Sequence, residues 1–159
     1  MKQSLSYVCL LAAFAVLGLQ IAAARDTAKD PFLGNWVLDP VKSDFSPDPT
    51  PDRRTMEFDA RDGGIYNATR TVAAFGNTDV VDYTAKFDGK DYPISGSVLD
   101  TVSLKRIDAD TIERTGKTRG QVTETCRMTV SPDGKMLTMK IQGSAYGRKY
   151  QSTQVYRRQ

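Results

Sequence analysis

From residue 34 to its end, the chain is a succession of short segments in which apolar and polar residues alternate. The clearest segment is 80–87, where Val81, Tyr83 and Phe87 fall on one side and charged or hydroxyl-bearing residues on the other. Alternation with a period of two is typical of a half-buried β-strand, whereas an amphipathic helix repeats every 3.6 residues. This pattern therefore restricts the chain to an all-β fold.

Turn sequences separate these segments at short intervals. Asp62-Gly63-Gly64, Asp88-Gly89 and Ser131-Pro132-Asp133-Gly134 are typical of tight turns. Connections of hairpin length make neighbours in sequence pair in space. We therefore predict an antiparallel up-and-down β-barrel of about 8–10 strands, in which the last strand pairs with the first. A barrel of this size is wide enough to hold one small ligand.

The first 24 residues are predicted to be a cleaved signal peptide rather than part of the fold. Lys2 precedes an uncharged, mostly apolar run, and Ala22-Ala23-Ala24 supplies the small residues that cleavage requires. A membrane anchor is the alternative, because residues 5–24 approach the length of a membrane span. With cleavage near Ala24, we expect a periplasmic or secreted protein without a stable membrane anchor, in which residues 25–159 form a single β-barrel domain.

The composition argues against several kinds of chemistry. The chain has no histidine, which removes the commonest general base and the commonest metal ligand. Its 22 basic and 19 acidic residues are too balanced to indicate a nucleic-acid partner. We therefore predict no metal, no other cofactor and no nucleic-acid binding. Cys126, the only cysteine left after cleavage, alternates with apolar residues and is predicted to be buried and unreactive.

Several segments carry a resemblance to known proteins. Gly34-Asn35-Trp36 with Leu38-Asp39-Pro40, the segment 83–93, and the closing Val155-Tyr156-Arg157-Arg158 are similar to a family of small exported bacterial proteins of unknown function. Gly34-x-Trp36 also resembles the first-strand motif of lipocalins, which belong to the calycin group. The resemblance implies that Trp36 is a structural plug at the closed end of the barrel and that Arg157 packs over its ring.

The end of the chain differs from one branch of the calycins. Fatty-acid-binding proteins carry Arg-x-Tyr on the last strand, and the matching positions here are Gln154 and Tyr156. An uncharged amide cannot supply the paired, charge-assisted hydrogen bonds that arginine gives to a carboxylate. The resemblance therefore does not imply a fatty-acid ligand.

Candidate ligand-binding residues are those on predicted inner faces, where apolar surface is combined with a few polar groups. Arg106 follows Leu104 in phase, and Glu124 shares a predicted face with Val122 and Cys126. An Arg106–Glu124 ion pair would provide a polar anchor inside the barrel; alternatively, each side chain lies near a strand end and reaches solvent. The candidates are Tyr83, Arg106, Glu124, Met128, Met139, Gln154 and Tyr156.

The leading hypothesis is an exported lipocalin-like protein that binds a small apolar or amphipathic molecule in the cell envelope. One alternative is a protein-interaction module, such as an inhibitor or envelope assembly factor, with a packed barrel. The other is an isomerase- or cyclase-like barrel enzyme that works without histidine. An internal cavity distinguishes the first hypothesis from the second, and an open polar pocket joining Tyr83, Arg106 and Glu124 would favour the third. No sequence feature assigns a catalytic residue or an oligomeric state.

Overall fold

The computed structural model describes residues 30–73 and 76–159, and the predicted signal peptide lies outside these ranges. The described residues form ten antiparallel strands that close into a barrel. The strands are β1 (Gly34–Leu38), β2 (Arg53–Arg61), β3 (Gly64–Val72), β4 (Thr78–Ala85), β5 (Tyr92–Ser95), β6 (Thr101–Arg106), β7 (Thr111–Thr118), β8 (Gln121–Val130), β9 (Met136–Ala145) and β10 (Arg148–Arg158). Each strand pairs with its neighbours in sequence, and β1 pairs with β10. The predicted up-and-down barrel is confirmed.

Successive strands run in opposite directions, so the connections between them alternate between the two ends of the barrel. β1 begins at the end that Trp36 plugs, which we call the closed end. The long loop 39–52 and the turns after β5, β7 and β9 lie at the opposite end, which we call the open end. Among residues 30–73 and 76–159, no helix is long and apolar enough to cross a membrane.

The densest part of the core lies toward the closed end. Trp36, Leu104, Ile112 and Leu137 are completely buried there, and Phe58 is 1% exposed. Full burial of one such side chain contributes about 1.5–3 kcal/mol, so this layer is a main source of stability. The predicted burial of the free cysteine is confirmed, since Cys126 is 2% exposed. Burial raises the pKa of the Cys126 thiol to about 12.

A hydrogen bond and a cation–π contact hold Trp36 in place at the closed end. Its indole Nε1 donates a hydrogen bond of 2.9 Å to the carbonyl oxygen of Phe32. The guanidinium carbon of Arg158 lies 4.2 Å from the centre of the Trp36 ring. Arg158 also donates from Nη1 to Leu33 O at 2.6 Å and from Nε to Gly134 O at 2.7 Å, while Nη2 donates to Pro31 O. One arginine therefore joins the segment before β1, the turn after β8 and the Trp36 plug.

The prediction that Arg157 covers Trp36 is wrong by one residue. In β10 the even-numbered residues face inward, as the burial of Gln154 and Tyr156 shows. Arg158 continues this inward series, whereas Arg157 points out of the barrel. The Arg157 side chain is 62% exposed, and its Nε lies 3.5 Å from the Asp39 carboxylate.

A bulge in β8 changes the predicted face of Val122. Glu124 lies opposite Gly116 and Val122 lies opposite Lys117, which leaves Thr123 as an extra residue. One extra residue reverses the alternation beyond it. Val122 therefore points outward and is 57% exposed, and it does not share the inner face of Cys126.

Substitution of Arg158 by alanine is expected to lower the free energy of unfolding by about 2–4 kcal/mol, because it removes charge-assisted hydrogen bonds and the cation–π contact. Arg157→Ala is the matched control and should cost under about 1 kcal/mol, as expected for an exposed ion pair. Urea unfolding followed by Trp36 fluorescence measures both values. Equal losses for the two variants would contradict the assignment of Arg158 as the residue that secures the plug.

Candidate functional site

A cavity of about 310 Å³ lies inside the open half of the barrel. Apolar side chains form part of its wall, among them Met56, Met139 and Ile141. Phe45 from the loop 39–52 and Leu99 from the connection after β5 also line it, and both are largely buried. The cavity combines this apolar surface with several polar side chains, which form two hydrogen-bonded groups.

The first group runs across β7, β8 and β10. Arg114 Nη2 lies 2.5 Å from Glu124 Oε1, and both side chains are 12% exposed. The second carboxylate oxygen of Glu124 accepts a hydrogen bond of 2.7 Å from the Tyr150 hydroxyl. Arg114 Nε has no hydrogen-bond partner among the described residues. This group therefore contains a compensated ion pair with one donor still unused.

Glycine at position 143 makes room for the Tyr150–Glu124 contact. Gly143 lies between them in the sheet, opposite Tyr150 on one side and Glu124 on the other. A Cβ there would approach the Tyr150 hydroxyl to 2.7 Å and the Thr123 carbonyl oxygen to 2.6 Å, which is too close for any side chain. The absence of a side chain thus allows Tyr150 to reach across β9.

Burial and charge shift the pKa values in this group. Burial is the largest influence on the pKa of Arg114 and lowers it, but the Glu124 carboxylate, together with Cys126 and Tyr83, holds that pKa above its usual value. Burial, and then the hydrogen bond to Glu124, raise the pKa of Tyr150. Arg114 is therefore charged and Tyr150 neutral near neutral pH, so the group presents one salt bridge and one hydroxyl to the cavity.

The second group centres on Arg54, which enters the cavity from β2. Its Nη1 donates to Gln154 Oε1 at 3.0 Å, and its Nε donates to Thr71 Oγ1 at 2.9 Å. The Tyr156 hydroxyl donates to the same Gln154 oxygen at 2.7 Å. The guanidinium carbon also lies 5.2 Å from the centre of the Phe45 ring. Burial raises the pKa of Tyr156 to about 12, so this hydroxyl stays a donor near neutral pH.

Arg54 lines the cavity without a salt-bridge partner among the described residues. The ion pairs among the described residues do not include Arg54, and the acceptors it contacts are neutral. Glu124 pairs with Arg114. The other carboxylate in the cavity wall, Asp48 of the loop 39–52, forms no salt bridge with Arg54. We call the two groups together the polar belt: Arg54, Thr71, Gln154, Tyr156, Arg114, Glu124 and Tyr150.

The structure divides the predicted site residues into three groups. Four of them line the cavity, namely Glu124, Met139, Gln154 and Tyr156. Tyr83 and Met128 are instead 2% and 1% exposed, as parts of the packed core, and do not line it. The seventh, Arg106, lies at the closed end.

The proposed Arg106–Glu124 pair is wrong, because the two residues lie at opposite ends of the barrel. β6 and β8 both run from the open end to the closed end; Arg106 ends β6, whereas Glu124 lies near the start of β8. Arg106 pairs with Asp30 and stacks 4.2 Å from the Phe87 ring centre. No polar pocket therefore joins Tyr83, Arg106 and Glu124 in the described residues, and the feature that would have favoured the enzyme hypothesis is missing.

Four residues of the polar belt were not among the sequence candidates: Arg54, Thr71, Arg114 and Tyr150. The alternation carried a signal for two of them. Arg54 is in phase with the inward-facing Met56, and Tyr150 is in phase with Gln154. Within residues 30–73 and 76–159, no group of three potential metal ligands lies close together.

Comparisons with other proteins extend only to the fold. No known family matches the chain, and no curated protein matches it at a significant level. Zebrafish ileal bile acid-binding protein, solved in complex with cholic acid, superposes with a TM-score of 0.51 at 10% identity, over 81% of this chain and 99% of that one. The siderocalin Ex-FABP gives a TM-score of 0.42 at 11% identity, over 81% of this chain and 74% of that one. The first similarity shows the same closed antiparallel barrel fold, and the second is too weak to add to it.

Replacing Glu124 by glutamine is expected to lower the free energy of unfolding by about 3 kcal/mol, because it leaves the Arg114 guanidinium uncompensated inside the barrel. Glu113→Gln offers a matched control: it breaks the Arg127–Glu113 pair, whose side chains are 50% and 46% exposed. That loss should stay under about 1 kcal/mol. Chemical denaturation measures both, and similar small losses for the two variants would show that Glu124 does not compensate a buried charge.

Proposed function

We propose that the barrel binds one small amphipathic molecule in its open-end cavity, with an anionic group at Arg54. The observation that carries this proposal is the charge of Arg54, which faces the cavity without a carboxylate partner among the described residues. A half-enclosed cation is costly unless an anion or a hydrogen-bond network compensates it. A ligand carboxylate or similar group would supply the missing charge.

The remaining donors of the polar belt suit the same group. The Tyr156 hydroxyl and Arg54 Nη1 converge on Gln154 Oε1, at 2.7 and 3.0 Å. An anion that displaced the amide oxygen would receive both donors at once. Charge-assisted hydrogen bonds of this kind are about twice as strong as neutral ones. Arg54 on β2 thus supplies a positive charge beside Gln154 on β10, whose amide is uncharged.

The volume of the cavity limits the size of the ligand, and its apolar wall suits an apolar portion of the ligand. Its volume of about 310 Å³ is near the lower end of the range for small-molecule sites, which favours a compact ligand. Met56 and Met139 offer flexible, polarizable side chains that adapt to irregular apolar shapes. An internal space of this kind supports ligand binding over the hypothesis of a packed interaction module.

The cellular role belongs to the same proposal. The apolar run before Ala24 and its small-residue ending support export, and with it a role in the bacterial cell envelope. The motifs around Trp36 support membership of the small exported family with lipocalin-like features. The structural neighbour that holds cholic acid shows that a barrel of this type can enclose a small organic acid.

Three probes with the same twelve-carbon tail test the ligand class: dodecanoate, dodecanol and dodecyltrimethylammonium. Isothermal titration calorimetry should show one site per chain and a preference for dodecanoate over dodecanol of about tenfold or more, as a hydrogen bond to a charged group implies. Arg54→Gln should remove that preference while leaving the dodecanol affinity within about threefold, because only the charge is lost.

Arg53→Gln is the matched control, since Arg53 is the exposed neighbour of Arg54 in β2 and points outward. It should bind dodecanoate as the wild type does. The proposal fails if no probe binds, if dodecanol and dodecanoate bind equally, or if Arg53→Gln and Arg54→Gln have the same effect. Thermal unfolding of each variant establishes that the barrel is intact.

A further inference from the structure

The outer surface of the open end carries a cluster of exposed apolar side chains. Val98 is 55% exposed, Val122 57% and Tyr146 91%. Val98 and Tyr146 line two shared depressions, of about 500 and 430 Å³. Val122 lines a third depression, which shares Tyr150 and Lys149 with one of them. Val98 and Tyr146 lie in the connections after β5 and β9, and Val122 lies at the start of β8. These side chains therefore form one continuous region.

The turns after β7 and β9 at the open end hold residues that turn geometry does not favour. Tyr146 and Arg119 each occupy the first position of a two-residue hairpin turn, with φ of 51° and 53°, and a glycine with positive φ follows each one. Asparagine, aspartate and glycine are the residues that adopt this left-handed conformation most readily. The equivalent closed-end turn after β2 has Asp62 at φ 52°. Tyrosine and arginine at the open end are thus not explained by folding.

Basic side chains surround the apolar ones. Arg119, Arg148 and Lys149 are exposed, and the ion pairs found among the described residues include none of them. The acidic residues in the three depressions are Asp48, Asp100 and Glu124, of which Glu124 is paired with Arg114. The Asp100 carboxylate accepts a hydrogen bond of 2.5 Å from the backbone N–H of Arg119, so it is partly engaged. The region has a positive excess.

We propose that this region, the rim patch (Val98, Val122, Tyr146, Arg119, Arg148 and Lys149), docks on an anionic lipid bilayer. Tyrosine prefers the boundary between water and lipid, where its ring is apolar and its hydroxyl stays hydrated. Lysine and arginine are attracted to the negative surface of such a bilayer. Apolar groups spread over two connections and a strand end suit a deformable lipid surface better than the closely packed face of a protein partner.

The rim patch adjoins the cavity. Tyr150 lines both depressions that hold Tyr146 and also lines the internal cavity. A barrel docked through the rim patch would therefore hold its cavity wall against the lipid. The inference concerns the outer surface alone, and its test needs no ligand.

Vesicle flotation tests the docking. The protein is residues 25–159, because the apolar run before Ala24 would itself bind lipid, and residues 30–159 contain all ten strands of the closed barrel. Vesicles of pure phosphatidylcholine are compared with vesicles that also contain phosphatidylglycerol. Binding to the anionic vesicles should be stronger by about tenfold or more and should weaken as salt is added.

Tyr146→Asn is the decisive variant, because asparagine tolerates the left-handed backbone and so should keep or raise the thermal stability. Its binding to anionic vesicles should fall by about fivefold or more. Ile107→Asn is the control: Ile107 is 40% exposed and lies after β6 at the closed end, so its binding should match the wild type.

Three results would overturn the proposal. The first is binding to neither kind of vesicle. The second is equal binding to neutral and anionic vesicles. The third is unchanged binding of a correctly folded Tyr146→Asn variant. None of these results depends on the calorimetry of the internal cavity, so the two proposals can fail separately.

Discussion

The contact between Arg158 and Trp36 is the interaction on which the barrel depends. A ten-stranded barrel closes only if its last strand meets its first, and Arg158 is paired with Trp36 in that seam. Its guanidinium stacks on the Trp36 ring and donates to backbone carbonyls before β1 and after β8. One side chain therefore closes the sheet, seals its end and anchors the segment that precedes it. The apolar core can then form directly behind this seal.

The open end is built on a different principle. There the inward positions carry polar groups, and glycine makes room for them, as Gly143 does for Tyr150. Glu124 compensates Arg114, but Arg54 contacts only neutral partners among the described residues. Apolar residues at these positions would stabilise the fold more, because the attraction between buried charges often fails to offset the free energy lost when they leave water. The stable end and the functional end of the barrel are thus separated along its axis.

Alternation allowed the fold to be predicted from sequence, since most strands have a clear period of two and a short turn after them. The candidate site was predicted only in part, because alternation gives the side of the sheet and not the height along the barrel. Arg106 and Glu124 share an inward phase, yet they lie at opposite ends of strands that run in the same direction. The Thr123 bulge, which turns Val122 outward, has no clear signature in the sequence. Arg54 was visible in the pattern, in phase with Met56, but its partner Gln154 lies 100 residues later in the chain.

The measurement that tests the central claim most directly is the pKa of a ligand carboxylate inside the barrel. Dodecanoate labelled with ¹³C at its carboxyl carbon reports this value through its chemical shift as the pH is varied. If the carboxylate lies beside Arg54, the positive charge stabilises its ionised form and lowers its pKa relative to the free probe. Arg54→Gln should reverse that shift. A bound carboxylate whose pKa is unchanged or raised would show that the head group lies in solvent or against apolar surface, and would contradict the account.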